Sequence, residues 1–228
     1  MPYRLRSLKS CGAKTHSQND EDGTIEAIFT DIPPQSRYFV EFGIGPNWQD
    51  PTYSNGIEGN CVLLRKNGWR GLFMDGGTHP SQYDIKKEFI SALNINSLLR
   101  KYGVPENVDV ISIDVDSQDF WIWMACYFRP ALYILEYNAN FMQIYQSKTI
   151  EFDPSYRWDG TKYYGASLGA MVKLGADKGY KLVHANGVNA FFVRADMLAN
   201  AEDFKDEDLI VSVDQHRVDY LQRRWVEI

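Results

Sequence analysis

Apolar residues in this chain gather in short uninterrupted runs that each end in an acid. The four clearest are Tyr38-Phe39-Val40-Glu41, Gly71-Leu72-Phe73-Met74-Asp75, Val110-Ile111-Ser112-Ile113-Asp114 and Leu132-Tyr133-Ile134-Leu135-Glu136. Runs of this length, bounded by turn residues, read as strands buried on both faces. Between them the spacing becomes helical. Ile25, Ala27, Ile28 and Phe29 follow a stretch rich in capping residues, Ser17 to Asp22, and predict a helix that Asp31-Ile32-Pro33-Pro34 stops. Further helices are predicted over Ile57 to Lys66, Ser97 to Tyr102, Phe120 to Phe128 and Gly165 to Lys178. A weaker strand is predicted near Lys87 to Leu93. Two more, Tyr180 to His184 and Ala190 to Arg194, flank the Asn186-Gly187 turn. The tail from Tyr220 to Trp225 reads as a helix packed on the sheet. Strands alternating with helices, then a terminal hairpin, give an α/β sheet, mostly parallel with an antiparallel edge.

In an open α/β sheet, ligands bind outside the carboxyl ends of the strands. Glu41, Asp75, Asp114 and Glu136 therefore converge on one crevice. Gly43 and Gly45 follow the first strand, where missing side chains let a ligand approach the backbone. Asp75 comes about one strand–helix–strand unit later, where an acid can grip ribose hydroxyls. The dinucleotide fingerprint G-x-G-x-x-G fails, because position 48 is Trp. A strand-end carboxylate would repel phosphate but accept hydrogen bonds from an ammonium group. An amino-acid-bearing nucleoside such as S-adenosylmethionine fits better than NAD.

Composition narrows the classes. The 228 residues fit one domain over 1–228, with a helical lead-in over 1–36 and a Tyr- and Trp-rich insertion over 139–164 lying over the site. A net charge of −6 with no long basic run argues against nucleic acid or an anionic membrane as partner. Three widely spaced cysteines, Cys11, Cys61 and Cys126, suggest neither a disulfide framework nor a zinc site, and favour a cytoplasmic protein with reduced thiols. The first residues lack an apolar core segment, so no signal peptide is expected, and the longest apolar stretch, Phe120 to Phe128, is too short to span a bilayer. The expected partner is a small molecule or a carbohydrate, and a homo-oligomer stays open.

Asp114 and Asp116 lie one residue apart at a strand end, with Glu136 and Asn138 at the neighbouring end. Such oxygens suit a hard cation such as Mg²⁺. The alternative is that Asp114 binds cofactor while Asp116 and Asp119 cap the following helix. His79, beside Gly76-Gly77, has the chemistry of a general base, although a surface histidine is the commoner outcome. Tyr156, Trp158, Tyr163 and Tyr164 either form an aromatic platform for a sugar or ring, or pack the insertion.

Several segments together resemble the FkbM-type methyltransferases, within the class I S-adenosylmethionine-dependent fold. They are Ser17-Gln18-Asn19-Asp20-Glu21-Asp22-Gly23, Phe39-Val40-Glu41-Phe42-Gly43, Ser54-Asn55, Gly68-Trp69-Arg70-Gly71, Ile111-Ser112-Ile113-Asp114-Val115-Asp116 and Glu136-Tyr137-Asn138, extended by Tyr164 to Leu168 and Asn189 to Val193. Two departures stand out: Asp116-Ser117 replaces the family's common Asp-Gly, and Asn47 stands where a third glycine is usual. The resemblance implies a doubly wound, mostly parallel, seven-stranded Rossmann-like sheet with an antiparallel C-terminal hairpin. It implies that Glu41 and Gly43 hold the methionine part, Ser54 and Asn55 line its end, Asp75 takes the ribose, and Asn94 or a neighbour meets the adenine edge. Gly45, Gly76 and Asp114 complete that cofactor set. Helix capping is the other reading of Asn94 and Ser54. Asn138, Trp158, Tyr163 and Tyr164 are the expected substrate residues, and Asp116 or His79 the base. The expected reaction is O-methylation of a sugar or polyhydroxylated metabolite. A metal-dependent hydrolase built on the same carboxylates, or a non-catalytic interaction protein retaining the fold, are the rivals.

Overall fold

The structure, a computed structural model, describes residues 1–46, 52–53, 56–141, 146–209, 219 and 221–228. After α1 (Glu21–Asp31) come β1 (Tyr38–Phe42), β2 (Gly45–Pro46), β3 (Ile57–Glu58), α2 (Val62–Lys66) and β4 (Arg70–Asp75). The chain continues through β5 (Ile85–Lys87), α3 (Ile95–Lys101), β6 (Val110–Ile113), α4 (Asp119–Ala125), β7 (Leu132–Glu136) and β8 (Lys148–Ile150). It closes with α5 (Leu168–Lys178), β9 (Tyr180–Ala185), β10 (Asn189–Arg194) and β11 (Trp225–Glu227). Seven strands form the central sheet in the order β5-β4-β1-β6-β7-β10-β9. Pairing is parallel from β5 to β7, while β10 runs antiparallel to both β7 and β9.

The apolar runs behave as strands covered on both sides. Phe39 and Val40 point to opposite faces, and both are 0% exposed. Val40, Phe42, Leu72 and Met74 join a core with Ile95, Leu98, Phe120, Trp123 and Met171 from α3, α4 and α5. Phe39, Phe73, Val110 and Leu132 join a second core with Ile25 and Ile28 of α1, Val62 and Leu64 of α2, and Leu5 and Leu8 of the lead-in. Each such side chain contributes roughly 1.5–3 kcal/mol by leaving water. In α5, the Ser167 hydroxyl accepts from Ala170 N, and Gly179 at φ 79 ends the helix in a left-handed cap.

Four expectations shift. Ile57 and Glu58 do not begin a helix but pair with Pro46 and Gly45, leaving α2 only five residues. The edge strand lies at Ile85–Lys87 rather than 87–93, because Ile90 turns into the core instead. At the C-terminal end, Trp225–Glu227 is a strand paired with β8, not a helix on the central sheet. Helix α4 ends at Ala125, before Phe128. No helix among the described residues is long and apolar enough to cross a membrane.

Candidate functional site

The chain runs outward from β1 through β4 to β5, then crosses back to β6 and β7 on the other side of β1. The switch falls between the carboxyl ends of β1 and β6, where open sheets leave a crevice. A cavity of about 680 Å³ opens there, and Glu41, Asp75, Asp114 and Glu136 all line it. Asp116, Glu58 and His79 join them, and no Lys or Arg is among the described lining residues.

Glu41 faces two ways. Its carboxylate lines the cavity, yet it accepts hydrogen bonds from Asn60 N (2.6 Å) and Cys61 N (2.9 Å) at the start of α2. Burial pushes its carboxyl up to about 7, against those two donors. The expected grip on an ammonium group is thus shared with a structural duty. Gly43 is explained differently from the expectation. At φ +76, a Cβ would stand 1.3 Å from the Asp114 carbonyl oxygen, so the missing side chain serves the crossing of two strand ends. Gly45 lines the cavity with His79 as its nearest neighbour, 3.8 Å from where a Cβ would be.

Asp75 is held by one oxygen. Oδ1 accepts from Gly77 N at 2.6 Å and from His79 Nε2 at 2.7 Å. Since a carboxylate only accepts, Nε2 carries the proton, and Nδ1 accepts from the Tyr53 hydroxyl. Both ring nitrogens of His79 are therefore engaged within the fold, and the ring orients Asp75. No donor among the described residues meets Asp75 Oδ2. Beyond Asp75 a second chamber of about 360 Å³ is lined by Gly76, Phe89, Ile90, Val115 and Arg157.

Asp114, Asp116 and Glu136 each offer an oxygen within 4.8 Å of the others. This all-oxygen set fits a hard divalent cation. Desolvation, then the charges of Asp116, Asp119 and Glu41, drive the Asp114 carboxyl well above its ordinary range. Asp116 takes φ +55, a left-handed conformation that Asp tolerates, so the residue before Ser117 absorbs the turn. Asp119 is structural: Oδ1 accepts from Val115 N and Oδ2 from Ser117 N.

Other expected contacts do not reach the cavity. Asn94 accepts from Ser91 N and donates to the Phe89 carbonyl, pinning the loop before α3 rather than meeting a base. Asn138 is 0% exposed; it donates to the Lys162 and Tyr164 carbonyls and accepts from Asn140, which corrects its substrate role. Tyr163 also turns away, its hydroxyl accepting from Glu151 N and donating to the Arg224 carbonyl. Trp158 and Tyr164 do line the cavity, their ring centroids 6.0 Å apart. Ser54 and Asn55 lie outside the described residues.

Gln18, Glu58, Asn60 and Asn189 line the cavity without having been assigned a role from sequence. Asn60 carried a usable signal, since Gly59-Asn60 sits just before the apolar start of α2. Glu58 reaches the site only through the small β2–β3 hairpin, which no periodicity announces. Comparison with protein-family models, with curated proteins and with solved structures returns no match.

Proposed function

We propose that this protein is an S-adenosylmethionine-dependent methyltransferase of doubly wound, Rossmann-like fold that acts on a hydroxyl of a small acceptor. The observation that carries the reading is the cavity at the switch between β1 and β6, with four strand-end carboxylates and no basic side chain among its described lining. Such a lining disfavours phosphate and favours a ligand with a sulfonium and an ammonium group. Asp75 Oδ2 suits a ribose hydroxyl, and the chamber between Gly76, Phe89 and Val115 suits a flat base. The sheet order, outward on one side of β1 and then back to the other, supports the doubly wound reading.

In the transfer, the acceptor oxygen forms a bond to the methyl carbon as the carbon–sulfur bond breaks, and that electron pair stays on sulfur. The hydroxyl proton passes to Asp116, the exposed carboxylate of the cavity. Glu41 and Asp75 fix the donor so that the methyl group lies in line. In the alternative arrangement, Asp114, Asp116 and Glu136 would hold Mg²⁺, which when bound lowers the pKa of a coordinated hydroxyl, and Asp116 would then act through the ion.

Calorimetry with S-adenosylhomocysteine is the test. Micromolar binding is expected, weakened roughly 10- to 100-fold by Asp75→Ala, which removes a charge-assisted acceptor worth about 1.5–3 kcal/mol. No binding, or unchanged binding in the mutant, overturns the assignment. The acidic trio favours a second reading, a metal-dependent hydrolase. That reading requires hydrolysis abolished by EDTA in a protein indifferent to S-adenosylhomocysteine.

A further inference from the structure

In the chamber beyond Asp75, two residues from separate segments meet. Phe89 follows β5. Its place is set by Glu88 N, which donates to the Asp75 carbonyl at 2.9 Å, and by Asn94 Nδ2, which donates to the Phe89 carbonyl at 2.7 Å. Arg157 comes from the aromatic insertion, whose residues 151–164 hold no helix or strand. Gln118 ties one end of that stretch, donating to the Glu151 carbonyl and accepting from Asp153 N, both at 3.1 Å. Arg223 ties the other end through Asp159 at 2.8 Å. Between these ties the Arg157 guanidinium lies over the Phe89 ring, its Cζ 3.2 Å from the centroid. An aromatic face holds a planar cation in this way. Both residues line the chamber.

What the guanidinium offers follows from its bonds. Nη1 makes both described hydrogen bonds, to the Ser155 carbonyl at 2.7 Å and the Tyr156 carbonyl at 3.1 Å. Nε and Nη2 have no partner among the described residues, and Arg157 is exposed, so a ligand can reach them. Arginine donates and cannot accept. Glu41, Glu58 and Glu136 line only the larger cavity, whereas Arg157 lines only the smaller chamber and is the one Arg or Lys among the described residues of either. A nucleoside with a cationic arm and a base rich in acceptor nitrogens suits this polarity in one direction, base toward Arg157. Resting on the methyltransferase reading, we propose that Arg157 is a cofactor-binding residue that reads the base. Held on Phe89, it donates from Nε or Nη2 to one ring nitrogen of adenine, N1, N3 or N7. The same contact fixes which end of the ligand enters which chamber.

Calorimetry on the full chain compares S-adenosylhomocysteine with its 1-deaza, 3-deaza and 7-deaza analogues, each of which replaces one ring nitrogen by C–H. One analogue should bind the unsubstituted protein at least about fivefold more weakly than the parent compound. Arg157→Leu should weaken the parent by at least about fivefold and shrink that difference below about twofold. Because Arg157 is exposed, its replacement leaves both cores intact. A residue that only walls the chamber would, when replaced, weaken all four ligands alike. Uniform weakening, the absence of any difference among the analogues, or a difference that persists in Arg157→Leu overturns the inference and leaves the methyltransferase reading standing. Adenosine and its three deaza analogues supply the other arm. A single-nitrogen preference there, lost in Arg157→Leu, in a protein that does not bind S-adenosylhomocysteine, supports the base contact and overturns the methyltransferase reading alone. Binding of neither adenosine nor S-adenosylhomocysteine overturns both.

Discussion

A side chain on Gly43 has nowhere to go. The carbonyl oxygen of Asp114 occupies the position, 1.3 Å from an ideal Cβ, and the backbone there is left-handed. Gly43→Ala should therefore lower stability by at least about 2 kcal/mol, from the left-handed penalty plus a backbone clash. In a chain of this length that corresponds to a fall of roughly 4–8 °C in Tm, read by thermal denaturation. The folded fraction should still bind S-adenosylhomocysteine, because the glycine serves the strand crossing. An unchanged Tm with lost binding would return Gly43 to the ligand. His79 teaches the same lesson. From sequence it is a lone histidine near two glycines; only the fold brings Tyr53 and Asp75 to its two nitrogens.

Among the elements, the least expected is β11. It pairs with β8, and the residues before it clamp the aromatic insertion. Arg223 donates to Asp219 Oδ1 (2.8 Å) and Thr161 Oγ1 (2.6 Å), pairs with Asp159 (2.8 Å) and lies over the Tyr163 ring. Trp158, between these contacts, donates its indole N–H to the Thr161 carbonyl. Arg223→Met would leave Asp219, with a 4% exposed side chain, without its cation. We expect a loss of about 2 kcal/mol and faster proteolytic cutting between residues 151 and 161, measured by limited digestion. Unaltered digestion would mean that the insertion stands without its clamp.

The strands that sequence made legible are those buried on both faces, since β1, β4, β6 and β7 need only an unbroken apolar run. The four acids that end or follow them were legible for the same reason. What escaped was set by long-range partners. Ile57 and Glu58 have a helical context but find Pro46 and Gly45 to pair with. Trp225 looks like the apolar face of a helix until Ile150 is beside it. The roles of Asn138 and Tyr163 turn on carbonyls more than ten residues away, which no local pattern encodes.

At the scale of the whole molecule, the buried acids set a pH response. Glu41 moves from an ordinary 4.5 to about 7 on folding, chiefly through burial. Between those values the folded state keeps a proton that the unfolded chain has released, so stability falls as pH rises across the window and levels off above it. Asp119, also pushed up to about 7 by burial, adds to the slope. Urea denaturation at about pH 5 and about pH 8 should show the protein more stable at the acid end, by up to about 3 kcal/mol for each group. Glu41→Gln should remove only part of the difference, since Asp119 and Asp114, both raised by burial, keep their shares. Stability that rises over this range would refute the account.

The β8–β11 pairing also carries a consequence for biosynthesis. Every strand of the central sheet has been synthesised once residue 194 is made, and with it all four strand-end carboxylates. Trp225–Glu227 emerges later and has to find Lys148–Ile150, which the nascent chain passed long before. A chain cut short after residue 209 therefore carries every strand beneath the crevice but not the clasp on its aromatic wall.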